Sequence, residues 1–528
     1  MRKATSAAAI CAFAAVLWGA GPVAAQETPK RGGTLTYGVA GDPHTMDCHA
    51  GNSFAVFHYL SPHYSTLLRP DKVKYPALEG DLAESWTISD DKLTYTFKLR
   101  PNVKFHDGSA FSSEDVKATY ERILDPPEGV VSAWRSFYLD VASVEAPDPQ
   151  TVVFKLKKPN AGMLESFASP YSCIYSAAQI RKDPRYPEKT VMGTGPFKFV
   201  EYVPGSRWIA TRFDDYFRPG LPYLDGYRAL SLSSTALVNA LAGGQIDAEF
   251  RGITPADLER VKASRGDRMT FQETVGTGIL LFAINTKQKP FDDVRVRKAL
   301  TLAIDRWNGV VPLSKITSFK YVSGFQRPGA ATALSDTELE ALPGFGRDIK
   351  AARAEAKKLL AEAGVPNLKF ELVNRGPANP YSSFGLYLID QWRQIGVTVQ
   401  NTVVDTAGWV QRRNSGNYQV IVDATADPSD DPNMTLVRYT SSDKQPANPT
   451  GFIDREIDTL FDTQSGEFDP AKRAAITKQL ESKIIEQAFA NPGFRLQRVV
   501  SLATKVKGYR MIPSHISFGD LGEVWLSE

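Results

Sequence analysis

Cysteine is scarce in this 528-residue chain: there are three, and one of them, Cys11, lies within the first 25 residues. That excludes a disulfide-dense scaffold and a four-cysteine zinc site. Histidine is nearly as rare, at six. Neither sign of charge dominates, with 62 Lys+Arg against 59 Asp+Glu, so no nucleic-acid partner and no anionic membrane is implied. Beyond residue 25 no run is apolar enough to span a bilayer, and no low-complexity tract or solenoid-length repeat appears. G-x-S-x-G, H-E-x-x-H and a supported Cys–His pair are also missing. Gly193-Thr194-Gly195 lacks the Lys-Ser/Thr and the following helix of a phosphate loop. The chain therefore reads as a non-enzyme with no cofactor.

What is present starts at the N-terminus. Arg2 and Lys3 precede an apolar run from Ala7 to Leu17, and Val23-Ala24-Ala25 supplies small residues for cleavage. This is the pattern of a secretory signal peptide over 1–25, with a mature start at Gln26. Cys11 sits inside the apolar run and Gln26, not a cysteine, stands directly after the cleavage point, so the expectation is a periplasmic protein without a lipid anchor. An exported chain permits a disulfide between Cys48 and Cys173. Two buried free thiols are an equal alternative, because their Cα separation is not readable from sequence.

From Leu93 the residues alternate, with Leu93, Tyr95, Phe97 and Leu99 on one face and Thr94, Thr96, Lys98 and Arg100 on the other. Period two with one apolar face predicts a half-buried strand. His106-Asp107-Gly108 turns the chain, and Ser112, three residues before Asp115, predicts a capped helix carrying Val116, Tyr120 and Ile123. Further strands are expected at 141–146, 151–155, 197–203, 208–213 and 246–250, with a helix at 234–243. After a long extended run at 270–285, the order helix 348–363, strand 369–373, helix 382–395, strand 397–404, helix 409–414 and strand 418–424 predicts a separate α/β domain. A strand at 499–509 would return to the first domain, so the chain crosses twice between lobes. Two crossings make a hinge.

The wording of these segments is specific. The run from Trp86 to Val116, W-x-x-S-x-D-x-L-x-Y-x-F-x-L-R-x-x-V-K-F-H-D-G-x-x-F-x-x-x-D-V, resembles the signature of the peptide-type (dipeptide, oligopeptide, nickel; family 5) periplasmic solute-binding proteins of bacterial ABC importers. Further similar pieces follow in order: Gly32-Gly33-Thr34-Leu35 with Asp42 to Asp47, Gly193 to Phe197, Gly243 to Asp247, Asn285 with Pro290 to Ala299 and Ile304-Asp305-Arg306, and Ala356 to Gly364. The resemblance implies an α/β bilobal flytrap fold of the enlarged type. The first lobe would comprise 26–68, 190–275 and 492–528, with an inserted subdomain at 69–189, and the second lobe 276–491. It also implies a function: capture of dipeptides or short oligopeptides for delivery to an ABC permease by a monomeric receptor. An opine, a sugar or a metal chelate is the alternative cargo, and a secreted hydrolase a more distant one.

Site residues carry over by the same route. Ala426-Asp427 followed by Asp431-Pro432-Asn433 falls on the family's A-D-x-x-x-x-x-N pattern, which makes Asp427 the partner of a ligand ammonium and Asn433 its companion. Arg375-Gly376-Pro377-Ala378-Asn379-Pro380 is similar, with one extra residue, to a loop whose arginine pairs with the ligand carboxylate. Trp409 and the loop residues Asn52, Ser53 and Phe54 are candidate pocket walls. Pro428 stands where the family often has an aromatic, and Gly309 to Gly329 departs from the usual pattern. Two plainer readings stand beside these. Asp423, Asp427, Asp430 and Asp431 together suit a solvated loop, since their spacing fits no EF-hand. His44, Cys48, His49, His58 and His63 gather soft ligands in one segment, but at spacings that match no standard zinc site.

Overall fold

The computed structural model describes residues 27–527 apart from 52, 377, 446 and 518. The signal-peptide reading, Gln26 and the candidate Asn52 lie outside the described residues. The architecture is organised by one antiparallel pair of long strands, Met269–Ile284 and Ala490–Ala503. One half of the pair lies in the first lobe and the other half in the second. Together they join both lobes' strands into a single eleven-stranded sheet among the described residues.

The pairing slips where the chain passes between lobes. Val275 faces Gln497 and Ile279 faces Arg495, so Gly276, Thr277 and Gly278 all oppose Leu496. A Cβ on Gly276 would lie 3.0 Å from the Leu496 carbonyl oxygen, and one on Gly278 3.1 Å from its side chain. The glycines let the two backbones approach at this crossing. Arg495, fully buried, ties the crossing down by donating to the carbonyls of Thr277 (2.8 Å) and Phe325 (2.6 Å) and to Ser323 Oγ (2.8 Å). A second slip, from Leu280–Phe494 to Leu281–Pro492, leaves Gly493 bulged.

Two cores flank the second lobe's sheet with the expected period of two. Leu280, Phe282 and Ile284 pack with Phe370, Leu372, Phe384, Leu388 and Trp392 on one face. Leu281 and Ala283 pack with Val373, Ile421, Ile457, Leu480 and Ile484 on the other. The last three of these come from helices Arg455–Gly466 and Pro470–Gln487, capped by Asp454 and Asp469. These two helices were not among the elements expected from sequence. The first lobe and the inserted subdomain share one core. Along Ala490–Ala503, Phe494 packs in the core around Leu280 and Phe282, while Val500 packs in the core that holds the inserted sheet.

The subdomain's four-stranded antiparallel sheet runs Ala83–Ile88, Thr94–Leu99, Thr151–Leu156, Val141–Asp148. Tyr95, Phe97 and Leu99 point inward as their alternation requires. Helix Ser113–Leu124 begins with a reciprocal capping box between Ser112 and Asp115. Fully burying each such apolar side chain contributes about 1.5–3 kcal/mol. Among the described residues no helix is long and apolar enough to cross a membrane.

Candidate functional site

Both lobes repeat one local topology. In the first, Thr34–Val39 lies between Gly226–Ser231 and Ala248–Glu249, all parallel. In the second, Lys369–Arg375 lies between Thr398–Val404 and Val420–Thr425, again parallel. The strand that comes first in sequence is the middle one, so the connections leave it on opposite sides. Ligand crevices in open α/β sheets form beyond the carboxyl ends of the strands at such a switch point.

In the second lobe that point holds Arg375, the last residue of its strand, and the loop from Ala426 to Asp431. Arg375 is half-buried. Its guanidinium stands 4.0 Å from the Tyr381 ring centre and 4.8 Å from that of Trp409. It donates to Thr406 Oγ1 at 3.1 Å, and its buried Nε has no partner among the described residues. Trp409 is buried and fixed by an indole N–H bond to the Val422 carbonyl at 2.8 Å.

Asp427 is buried and ion-paired with Arg438, eleven residues along the chain. Burial pushes its carboxyl up from the ordinary value, and the guanidinia of Arg438 and Arg495 oppose that shift. The rest of the acidic cluster is matched in the same way. Asp423 meets Arg413 at 3.1 Å, Asp430 meets Arg327 at 2.6 Å, and Asp431 takes both Nη atoms of Arg473 at 2.8 and 2.9 Å. A solvated acidic loop is not what the chain builds. Among the described residues no group of three or more His, Cys, Asp or Glu is arranged to hold a metal.

Asn433 bridges the lobes. Its Nδ2 donates to Asn160 Oδ1 of the subdomain at 2.7 Å and to Ser465 Oγ at 2.9 Å, while its Oδ1 accepts from Gln464 at 2.6 Å. Around it, Ala161 N–H bonds the Ser465 carbonyl (2.7 Å), Lys158 pairs with Asp462 (2.6 Å), Tyr75 donates to Asp430 (3.1 Å) and Ser517 to the Pro428 carbonyl (2.8 Å). The lobes are closed on one another.

On the first lobe, Phe54 opens helix Phe54–Leu60 with the Arg251 guanidinium 3.9 Å from its ring centre, and Ser53 Oγ is 3.5 Å from His44 Nδ1. Cys48 and Cys173 are joined, with Cα atoms 6.4 Å apart. The histidines of this segment do not converge. His49 bonds the Cys173 carbonyl and Arg122, His58 the His515 carbonyl, and His63 the Phe197 carbonyl, Trp208 and Tyr227. Burial lowers their pKa to about 4 for His49 and about 3 for His58 and His63, so they are neutral structural groups. Sequence reasoning missed Arg438, Arg251 and Tyr381, because a lone arginine or tyrosine in a short helix or loop carries no local signature.

The model for bacterial extracellular solute-binding proteins, family 5 Middle, matches residues 77–447. The chain belongs to this family. Heme-binding protein A of Haemophilus influenzae is 29% identical over 468 residues, covering 83% of this chain and 82% of the relative. Di/tripeptide-binding protein 1 of Pseudomonas aeruginosa is 26% identical, covering 78% and 79%. The solved structure of the binding protein AgaA from A. tumefaciens R10 with agropinic acid superposes with a TM-score of 0.81 at 25% identity, over 94% of this chain and 99% of that one. The bilobal α/β architecture with a small extra antiparallel sheet is thus a periplasmic-binding-protein fold. The chain is a non-catalytic solute-binding protein of the ABC-transporter family 5.

Proposed function

We propose that this solute-binding protein captures dipeptides or short oligopeptides between its lobes, as a monomer in the periplasm, and presents them to its permease. The observation that carries this reading is Arg375: a guanidinium within 4.0 and 4.8 Å of two aromatic ring centres at the switch point, with no carboxylate of its own among the described residues. Such a group suits a ligand carboxylate, because a planar, bidentate, charge-assisted pair is strong where water is scarce. The ligand ammonium would share the Asp427 carboxylate with Arg438, since a carboxylate accepts about four hydrogen bonds. Ligand binding would favour the closed arrangement by bonding both lobes at once.

A second reading has its own support. The Asp427–Arg438 pair already neutralises the ammonium partner, which favours an opine or another amine-blocked acid. Calorimetry with dipeptides, their C-terminal amides and their N-acetyl forms separates the two. The carboxylate anchor predicts that amidation, or Arg375→Gln, weakens binding at least 30-fold, in line with a loss of about 2–5 kcal/mol for a desolvated charge pair. Equal affinity for acid and amide would sink it. Loss on N-acetylation supports the peptide cargo, and retention supports the amine-blocked acid.

A further inference from the structure

Arg251 occupies in the first lobe the place that Asp427 occupies in the second. Each lies two residues beyond the third parallel strand of its lobe, Ala248–Glu249 and Val420–Thr425 respectively. Each therefore sits beside a switch-point crevice. Their surroundings differ. Asp427 has an ion-pair partner within its own lobe. Arg251 is half-buried with its guanidinium stacked on Phe54 at 3.9 Å, and among the described residues no carboxylate forms an ion pair with it.

Glu249, two residues earlier, spends its hydrogen-bonding capacity on the backbone. Its carboxylate accepts the backbone N–H of Arg251 (2.8 Å) and of Gly252 (2.8 and 3.0 Å). Gly252 makes this tight loop with φ +124°. The acid thus fixes the backbone beneath Arg251 and acts on its guanidinium only through space, without forming an ion pair, so the N–H edge keeps donors for another acid. Burial keeps the neighbouring His58 and His515 uncharged, and the local cations are Arg251 and Arg498, the latter spent on the carbonyls of Phe250, Ile512 and Ser514. The corner borders the lobe junction through the loop 513–517, where the Pro513 carbonyl accepts from Thr277 N–H (3.3 Å) and Ser517 Oγ donates to Pro428 (2.8 Å), next to Asp427.

We infer that Arg251 is a second acid-binding residue of the solute site, on the wall opposite Arg375, and that the preferred cargo is a peptide-sized solute with two acidic groups. This rests on the reading of the interlobe crevice as a peptide site. A guanidinium stacked on an aromatic face keeps its N–H edge for a bidentate acid, and one such residue on each lobe would make closure depend on both acids.

The test is calorimetry with Ala-Glu and Ala-Gln, which differ only in the side-chain acid. The native protein should bind Ala-Glu at least tenfold more tightly. Arg251→Gln should abolish that preference by weakening Ala-Glu at least tenfold more than Ala-Gln in a protein that still unfolds cooperatively in urea, and Arg251→Lys should restore part of it. Equal binding of the two peptides by the native protein, or a preference that survives Arg251→Gln, overturns the inference and leaves the peptide reading standing. Binding of neither peptide overturns the peptide reading and this inference with it.

Discussion

Removing the Asp427 carboxylate leaves the Arg438 guanidinium, whose side chain is 17% exposed, without its ion partner, while removing Arg438 strands a carboxylate that is 5% exposed. Breaking a buried pair from one side costs about 3–5 kcal/mol, because one charge remains desolvated and unmatched. The partial exposure of Arg438 places Asp427→Ala at the low end, about 3 kcal/mol, and the deeper burial of Asp427 places Arg438→Ala higher. Removing both takes away both charges, so the double variant should lose less than the sum, with a coupling of about 2 kcal/mol or more. Urea unfolding followed by tryptophan fluorescence measures all four corners of the cycle. Binding by Asp427→Ala is then assayed well below its midpoint, so that lost affinity is not mistaken for lost folding. Additive single variants, or an Asp427→Ala protein as stable as the parent, would refute the pairing.

Three further outcomes follow from the packing. Glu481 is buried, with Oε1 accepting the Gln326 N–H at 2.9 Å and Oε2 unpartnered, and burial pushes its pKa from 4.5 up to about 7. The folded chain holds that proton where the unfolded chain has released it, so this group makes stability fall as pH rises from about 4.5 to about 7, by up to about 3 kcal/mol. Glu481→Gln should flatten that part of the curve, and identical pH profiles for the two proteins would contradict it. Gly493→Ala puts a methyl 2.3 Å from the Phe384 ring and 2.9 Å from the Leu280 carbonyl, an overpacking worth about 1–3 kcal/mol; an unchanged urea midpoint would count against the bulge. The Cys48–Cys173 bond closes a 125-residue separation, for which the chain-entropy model gives about 5 kcal/mol as an upper figure. Reduction or Cys48→Ser should lower the urea midpoint, and coincident curves with and without reductant would argue against the bond.

The elements legible in the sequence were those whose signals are local. The alternation at Thr94–Leu99, the Ser112/Asp115 box, the hairpin Phe197–Val203 with Arg207–Arg212 and the helix Ile349–Glu362 stand within a residue or two of their expected ends. The strand Ala490–Ala503 was recognised only from 499 onwards, because Asn491-Pro492-Gly493 reads as a turn. Its long partner Met269–Ile284 and the packing of Phe384 against Gly493 overrule that local preference. The strand expected at 246–250 shrinks to Ala248–Glu249, since the Glu249 carboxylate captures the following amides and turns the chain. Family resemblance named Arg375 and Asp427 as candidates, but the electrostatic state of Asp427 depends on Arg438, and the contacts of Asn433 depend on Asn160 in another part of the chain. Such pairings are set by tertiary structure and have no sequence period.

The most direct test of interlobe capture through Arg375 is native mass spectrometry of the protein purified from the periplasm of its own cells. The account predicts a bound small solute bearing an acid group, present on the native protein and lost from folded Arg375→Gln. A cargo without an acid group, or one retained undiminished by Arg375→Gln, would contradict it.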